Sequence, residues 1–109
     1  MQSINAQELK DLQENEDPFL LDVRTEKERL EWRMDDSLWI PLDNVLSQSE
    51  DIPQDRPVYV YCRSGNRSGM AIEQLEALGF DNLVNVEGGI IDFDQVGGKI
   101  IRGNLGEGE

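Results

Sequence analysis

The chain has 109 residues, 23 acidic and 10 basic side chains, no histidine and a formal net charge of −13. This length suits one domain, and so acidic a chain cannot neutralise a row of nucleic-acid phosphates. A single cysteine, Cys62, excludes an internal disulfide. The first residues lack the features of a secretory signal, and no apolar run approaches membrane-spanning length. We therefore expect a monomer in a reducing cytoplasm, with neither nucleic acid nor membrane as partner.

Two capping patterns predict where the first helices begin. A cap residue, Asn5 or Thr25, is followed three positions later by glutamate, as in a capping box. The first helix is expected to end at Asp17-Pro18 and the second near Trp32, with a loop after it. Helical spacing of apolar residues and glycine stop signals predict three more helices. These cover approximately residues 42–48, 68–78 and 90–96.

Apolar and β-branched runs alternate with these helices and predict strands. The runs cover residues 19–23, 38–40, 58–61 and 83–86. This alternation predicts an α/β fold, with a central, mostly parallel sheet of about five strands and helices on both faces. One domain is expected over residues 1–102, followed by a flexible, acidic, glycine-rich tail at 103–109.

Cys62 stands where the strand at 58–61 gives way to a polar loop and then to a helix. Open α/β sheets bind ligands at the carboxyl ends of their strands, and a helix N-terminus favours an anion. We therefore expect a lowered thiol pKa and a nucleophilic Cys62. The alternative is a cysteine that only fills the core, but such a residue needs neither the neighbouring arginines nor a flexible Gly65.

Positive charge is concentrated around this loop. From Arg56 through Ile72 there are three arginines and no acidic residue, so this window carries +3 and leaves −16 on the rest of the chain. Because the Debye length is about 8 Å at physiological salt, a small anion at the loop feels mainly the local charge. Arg63 and Arg67 are expected to attract such an anion, whereas Arg56 is expected to pair with a surface carboxylate.

Three segments resemble, in order and spacing, those of the rhodanese-like domain, the fold of the thiosulfate sulfurtransferases. They cover residues 21–26, 60–68 and 84–89, and Ile40-Pro41 adds a weaker match. The resemblance extends over nearly the whole chain. It implies a sulfurtransferase in which Cys62 becomes a persulfide and the backbone of the next six residues cradles the outer sulfur. These residues are Arg63, Ser64, Gly65, Asn66, Arg67 and Ser68.

The resemblance implies no cofactor and no metal. It implies as partners a small anionic sulfur donor such as thiosulfate and an external acceptor, which is a thiol, cyanide or an acceptor protein. With no histidine and no second cysteine in the chain, activation must come from loop electrostatics, and the acceptor must be another molecule.

Two alternatives stay open. A phosphatase or arsenate reductase on this scaffold has a longer loop than the six residues from Cys62 to Arg67, and a binding or regulatory module would use the loop without turnover.

Residues 32–37 depart from the family's Gly-His-Ile-x-Gly-Ala stretch, which leaves the geometry of the active-site mouth open. Asp22 and Arg24 are expected to form a structural ion pair, and Gly88-Gly89 a tight turn beneath the active loop.

Overall fold

The computed structural model describes residues 1–103, and the predicted tail from residue 104 onward lies outside them. Two short 3-10 helices, Leu42–Asn44 and Ser49–Asp51, connect the fourth and fifth strands. None of the helices within the described range is long and apolar enough to cross a membrane. The strands and α-helices follow one another as β1 (Gln2–Ile4), α1 (Ala6–Asn15), β2 (Phe19–Asp22), α2 (Glu26–Glu31), β3 (Trp32–Met34), β4 (Ser37–Trp39), β5 (Val58–Tyr61), α3 (Asn66–Glu76), β6 (Leu83–Val86), α4 (Gly89–Gln95) and β7 (Ile100–Arg102).

Five strands form a parallel sheet in the order β1-β6-β5-β2-β4. The predicted α/β architecture with a central parallel sheet is confirmed. Strand β5 lies in the middle, between β6 and β2, so the residue that follows it lies at the centre of the sheet's carboxyl edge. That residue is Cys62.

The sheet separates two apolar cores. Alternate side chains of a strand point to opposite faces, and Leu20 and Leu21 accordingly belong to different clusters. Helix α3 covers the cluster of Leu21, whereas α1 and α4 cover that of Leu20. Helices on both faces explain why β5 and the first three residues of β2 are apolar, since helices cover both faces of these strands.

The two helix starts predicted from capping patterns are confirmed in the cap geometry. Asn5 Oδ1 accepts a hydrogen bond from the backbone N–H of Glu8 at 2.8 Å, and Thr25 Oγ1 accepts from Glu28 at 3.3 Å. In each pair the glutamate side chain accepts in return from the cap residue's backbone N–H, which completes both capping boxes. Helix α3 begins at residue 66, two positions before the predicted start, because its N-cap is Gly65.

The prediction of a loop after Trp32 is wrong. Residues 32–34 form β3, which pairs antiparallel with β7 in a separate two-stranded sheet. Strands β1 and β7 were not predicted either, because a three-residue strand is too short to show a period and depends on a distant partner. The helix predicted over 42–48 is a 3-10 helix of three residues followed by a turn.

The atypical segment at 32–37 ends in a turn far from the carboxyl edge of the sheet. The turn residues, Asp35 and Asp36, precede Ser37, which pairs with Leu20 near the start of β2. Cys62 follows the opposite end of the neighbouring strand. The turn therefore lies at the amino edge of the sheet, away from the predicted active-site mouth.

Candidate active site

The Cys62 sulfur lies at the boundary between the apolar core and the polar loop. The residue is only 1% exposed and packs within the cluster beneath α3. Its Sγ accepts a hydrogen bond from the backbone N–H of Gly65 at 3.1 Å and lies 3.5 Å from the hydroxyl oxygen of Ser68. The thiol is thus buried but has polar partners in the loop and in the first turn of α3.

These partners change the acidity of the thiol. Burial acts to raise the pKa of Cys62, because a thiolate loses solvation in the core. The Ser68 side chain, whose hydroxyl oxygen is 3.5 Å from the sulfur, and the backbone amides of Ser68, Gly65 and Ser64 act in the opposite direction. They outweigh burial, and the net pKa lies below its ordinary value.

The loop takes its shape from two glycines. Gly65 has a φ of 111°, a left-handed conformation that turns the chain into α3 and directs its amide at the sulfur. Gly89, at the start of α4, lies directly against the loop, and a Cβ there would be 2.4 Å from the carbonyl oxygen of Arg63. The backbone N–H of Ile90 also donates to the Cys62 carbonyl at 3.0 Å. The turn predicted for Gly88-Gly89 beneath the loop is therefore confirmed, and it packs closely against the loop backbone.

The arginines of the positive window have different surroundings. Arg67 donates two hydrogen bonds to the carboxylate of Glu28, at 2.7 and 2.8 Å. This pairing, chiefly the hydrogen bonds from Arg67, lowers the pKa of Glu28 to about 2. Arg56 donates to the backbone carbonyl of Asp17 at 2.6 Å, and among residues 1–103 it does not form the expected ion pair with a carboxylate. Arg63 is exposed, and no hydrogen bond or ion pair of its guanidinium occurs among the described residues.

The remaining predicted site residues lie at the surface of the loop. Ser64 and Asn66 are both exposed, and of the two only Ser64, through its backbone amide, affects the acidity of Cys62. Sequence reasoning did not identify two side chains that contact the loop, Glu28 and Asn85. The capping box of α2 marks Glu28, and Asn85 is a polar residue within the otherwise apolar strand β6.

Asp22 and Arg24 form the structural ion pair that was expected. Both are fully buried, and Arg24 donates to the carboxylate through Nε at 2.9 Å and Nη2 at 2.8 Å. Arg29 and the Tyr61 hydroxyl also donate to Asp22, at 3.1 and 2.9 Å. Burial and the neighbouring carboxylate raise the pKa of Tyr61 to about 12, so its hydroxyl stays protonated and can donate. No described hydrogen bond joins this network to the Cys62 sulfur.

Comparisons with known families, proteins and structures find the same kind of domain over most of the chain. The family model of the rhodanese-like domain matches residues 5–95. A sulfurtransferase of Allochromatium vinosum is 37% identical over 90 residues, which cover 83% of this chain and 84% of that protein. The adenylyltransferase and sulfurtransferase uba4 of Ogataea parapolymorpha is 35% identical over 80 residues, but these are only 20% of that longer protein. The crystal structure of a rhodanese-related protein from Thermoplasma volcanium has a TM-score of 0.83 at 33% identity, covering 93% of this chain and 98% of that one.

Proposed function

Because the chain belongs to the rhodanese-like domain family, we propose that it is a sulfurtransferase and that Cys62 carries the sulfur. The observation that carries this proposal is the hydrogen bond from the Gly65 amide to Sγ, beside the Ser68 hydroxyl at the start of an eleven-residue helix. The Gly65 amide and the helix dipole favour negative charge on sulfur. The sulfurtransferase of Allochromatium vinosum, which this chain matches over most of both lengths, supports the same chemistry.

The first half-reaction loads Cys62. The thiolate attacks the outer sulfur of a donor such as thiosulfate, and a new S–S bond forms as the donor's own S–S bond breaks. Sulfite leaves with the bonding electron pair, and Cys62 becomes a persulfide. The amides of residues 63–68 are the donors proposed to hold the negative outer sulfur, in the manner of other concave sets of backbone N–H groups.

The second half-reaction discharges the persulfide. An external thiolate attacks the outer sulfur, a new S–S bond forms to the acceptor, and Cys62 leaves as the thiolate that began the cycle. Cyanide would react in the same way, forming a C–S bond. Since Cys62 is the only cysteine of the chain, the acceptor thiol belongs to another molecule.

The loop arginines are proposed to have unequal roles. Arg63 is exposed and is the cation proposed to meet the anionic donor. The side chain of Arg67 is held by Glu28, which offsets its charge, so its proposed contribution is mainly its backbone amide. The proposed partners remain a thiosulfate-like donor and a small thiol or acceptor protein.

Steady-state kinetics test this function. With thiosulfate as donor and a small thiol or cyanide as acceptor, a double-displacement enzyme gives parallel lines in double-reciprocal plots. We expect this pattern for the wild type and no turnover for Cys62→Ser. Hydrolysis of an aryl phosphate that depends on Cys62, without sulfur transfer, would replace the proposal with a phosphatase. Equal partner binding by wild type and Cys62→Ala, with no turnover by either, would indicate a binding module instead.

A further inference from the structure

Asn85 lies next to the reactive loop although it belongs to a different strand. It stands on β6 opposite Val60 of β5, two residues before Cys62, and is half-buried on the face covered by α3. Its side-chain amide makes two contacts there. Nδ2 donates to the carbonyl of Gly65 at 3.2 Å, and Oδ1 accepts from the hydroxyl of Ser68 at 2.6 Å.

The hydroxyl of Ser68 has a single proton and three acceptors within reach. These are Asn85 Oδ1 at 2.6 Å, the Gly65 carbonyl at 3.1 Å and the Cys62 sulfur at 3.5 Å. An amide oxygen only accepts, so two oxygens 2.6 Å apart require the Ser68 proton between them. The Asn85 side-chain amide cannot be rotated by 180° to donate to the Ser68 hydroxyl, because its oxygen would then face the carbonyl oxygen of Gly65.

We propose that Asn85 is a positioning residue that competes with Cys62 for the hydroxyl proton of Ser68 and thereby limits how strongly Ser68 stabilises the sulfur anion. The biological meaning of this inference rests on the proposed function. A thiolate that is stabilised less is a stronger nucleophile but a poorer leaving group. Asn85 would therefore set the balance between loading of Cys62, in which it attacks, and discharge, in which it leaves.

The charged groups of the reactive loop and of the elements beside it are separate from Asn85. They are Arg67 of α3 with its partner on α2, the exposed Arg63 of the loop, and the buried pair of Asp22, the last residue of β2, with Arg24. None of these groups makes a described hydrogen bond with the Asn85 side chain, whose partners are the Gly65 carbonyl and the Ser68 hydroxyl. A change in Cys62 acidity on substitution of Asn85 can thus be assigned to its two loop contacts.

The test is the pKa of Cys62, measured from the pH dependence of thiolate ultraviolet absorbance and of alkylation by iodoacetamide. In Asn85→Ala the freed hydroxyl keeps two acceptors, the Gly65 carbonyl and the Cys62 sulfur, and the negative charge of the thiolate makes the sulfur the stronger acceptor. We expect the pKa to fall by about one unit, the size of one hydrogen bond to a charged group. Asn85→Val, which suits a strand, should give the same fall. In a Ser68→Ala background, the same substitutions should leave the pKa where Ser68→Ala alone puts it.

Three results would overturn the inference: a pKa that rises or does not move in Asn85→Ala and Asn85→Val, an equal fall without the Ser68 hydroxyl, or unfolding of both Asn85 variants. The last result would show that Asn85 serves the strand rather than the sulfur. Circular dichroism and urea unfolding of each variant accompany the titrations. Since neither readout needs sulfur transfer, failure here and failure of the proposed function are separate outcomes.

Discussion

At the scale of single residues, the Glu28 carboxylate accepts four hydrogen bonds, two within the cap of α2 and two that hold α2 against the reactive loop. Its carboxylate accepts from the backbone N–H and hydroxyl of Thr25, as the capping box predicts, and from both terminal nitrogens of Arg67. The cap is visible in the sequence because its two residues are three apart. The ion pair is not, because 39 residues separate its partners and only the folded sheet brings them together.

Glu28 should make the free energy of unfolding depend on pH in the acidic range. The folded-state pKa is lowered from 4.5 to about 2, so the stabilisation is complete above the unfolded value and is lost as pH falls from about 4.5 towards 2. Glu28→Gln should lack this part of the pH dependence and lose on the order of 1 kcal/mol at neutral pH, since the pair is partly solvated. Urea unfolding between pH 7 and pH 2 measures both effects.

The exposed Glu31 of the same helix provides the matched control. Its side chain makes none of the described hydrogen bonds or ion pairs, so Glu31→Gln should unfold like the wild type throughout this pH range. If acid lowered the free energy of unfolding equally in the wild type and in Glu28→Gln, that result would contradict the stabilising role of the Glu28–Arg67 pair.

The buried network around Asp22 gives a second residue-scale prediction. Asp22→Asn leaves two arginine charges without their carboxylate, and we expect a loss of about 3–5 kcal/mol in the free energy of unfolding. Tyr61→Phe keeps the charges paired and removes one hydroxyl, which leaves the buried N–H of Met34 without its acceptor at 3.0 Å. That change should cost about 1–3 kcal/mol. Urea unfolding that ranks Tyr61→Phe as the more harmful substitution would contradict this account.

At the scale of elements, the reactive loop depends on the start of α4 as much as on its own residues. The backbone N–H groups of Ile90 and Ile91 donate to the carbonyls of Cys62 and Arg63 at 3.0 and 3.3 Å. This contact is possible only because residue 89 has no side chain. Helix α4 therefore supports the loop from below, and a shift of its first turn should move the amides around the sulfur.

Gly89→Ala tests this support. The new Cβ would lie 2.4 Å from the Arg63 carbonyl oxygen at a φ of 57°, so backbone must move. We expect a loss of about 2–5 kcal/mol from overpacking and positive-φ strain together, and slower alkylation of Cys62 at neutral pH. Gly79→Ala is the control, because that position has a φ of 103° but no atom within 4 Å of the added Cβ. Equal effects of the two substitutions on alkylation would exclude a supporting role for α4.

Elements differ in how far their own residues predict them. The capping boxes of α1 and α2 each span four consecutive residues, and the apolar residues of β2 and β5 follow one another directly. Local sequence patterns are therefore enough to predict these four elements. Strands β3 and β7 have three residues each and form by pairing with one another. At the two ends of this pair, the backbone N–H of Asp35 donates to the carbonyl of Lys99, and that of Gly103 donates to the carbonyl of Glu31. Such pairing has no local signature. The same holds for Asn85, whose contacts to the loop arise only from strand order.

At the scale of the whole molecule, net charge and local charge oppose one another. The chain carries −13, whereas the loop that would receive an anionic donor has an exposed arginine and no acidic residue of its own. At low ionic strength the Debye length of about 30 Å lets the whole acidic surface repel the donor, and at physiological salt it shrinks to about 8 Å. The overall charge should therefore act on the rate of encounter more than on the chemistry.

Salt dependence of Cys62 loading measures this effect. The second-order rate with thiosulfate should rise several-fold as ionic strength increases from about 0.01 M to about 0.15 M. Iodoacetamide, which is uncharged, should react with Cys62 at a nearly constant rate over the same range. A thiosulfate rate that falls with salt would mean that attraction by the loop outweighs repulsion by the rest of the surface.

Intact-mass spectrometry after incubation with thiosulfate measures whether Cys62 carries sulfur. The wild-type chain should gain the mass of one sulfur atom, an added thiol should remove it, and Cys62→Ser should gain none. A wild-type chain that stays unmodified, or a Cys62→Ser chain that takes up as much sulfur, would contradict this role of Cys62.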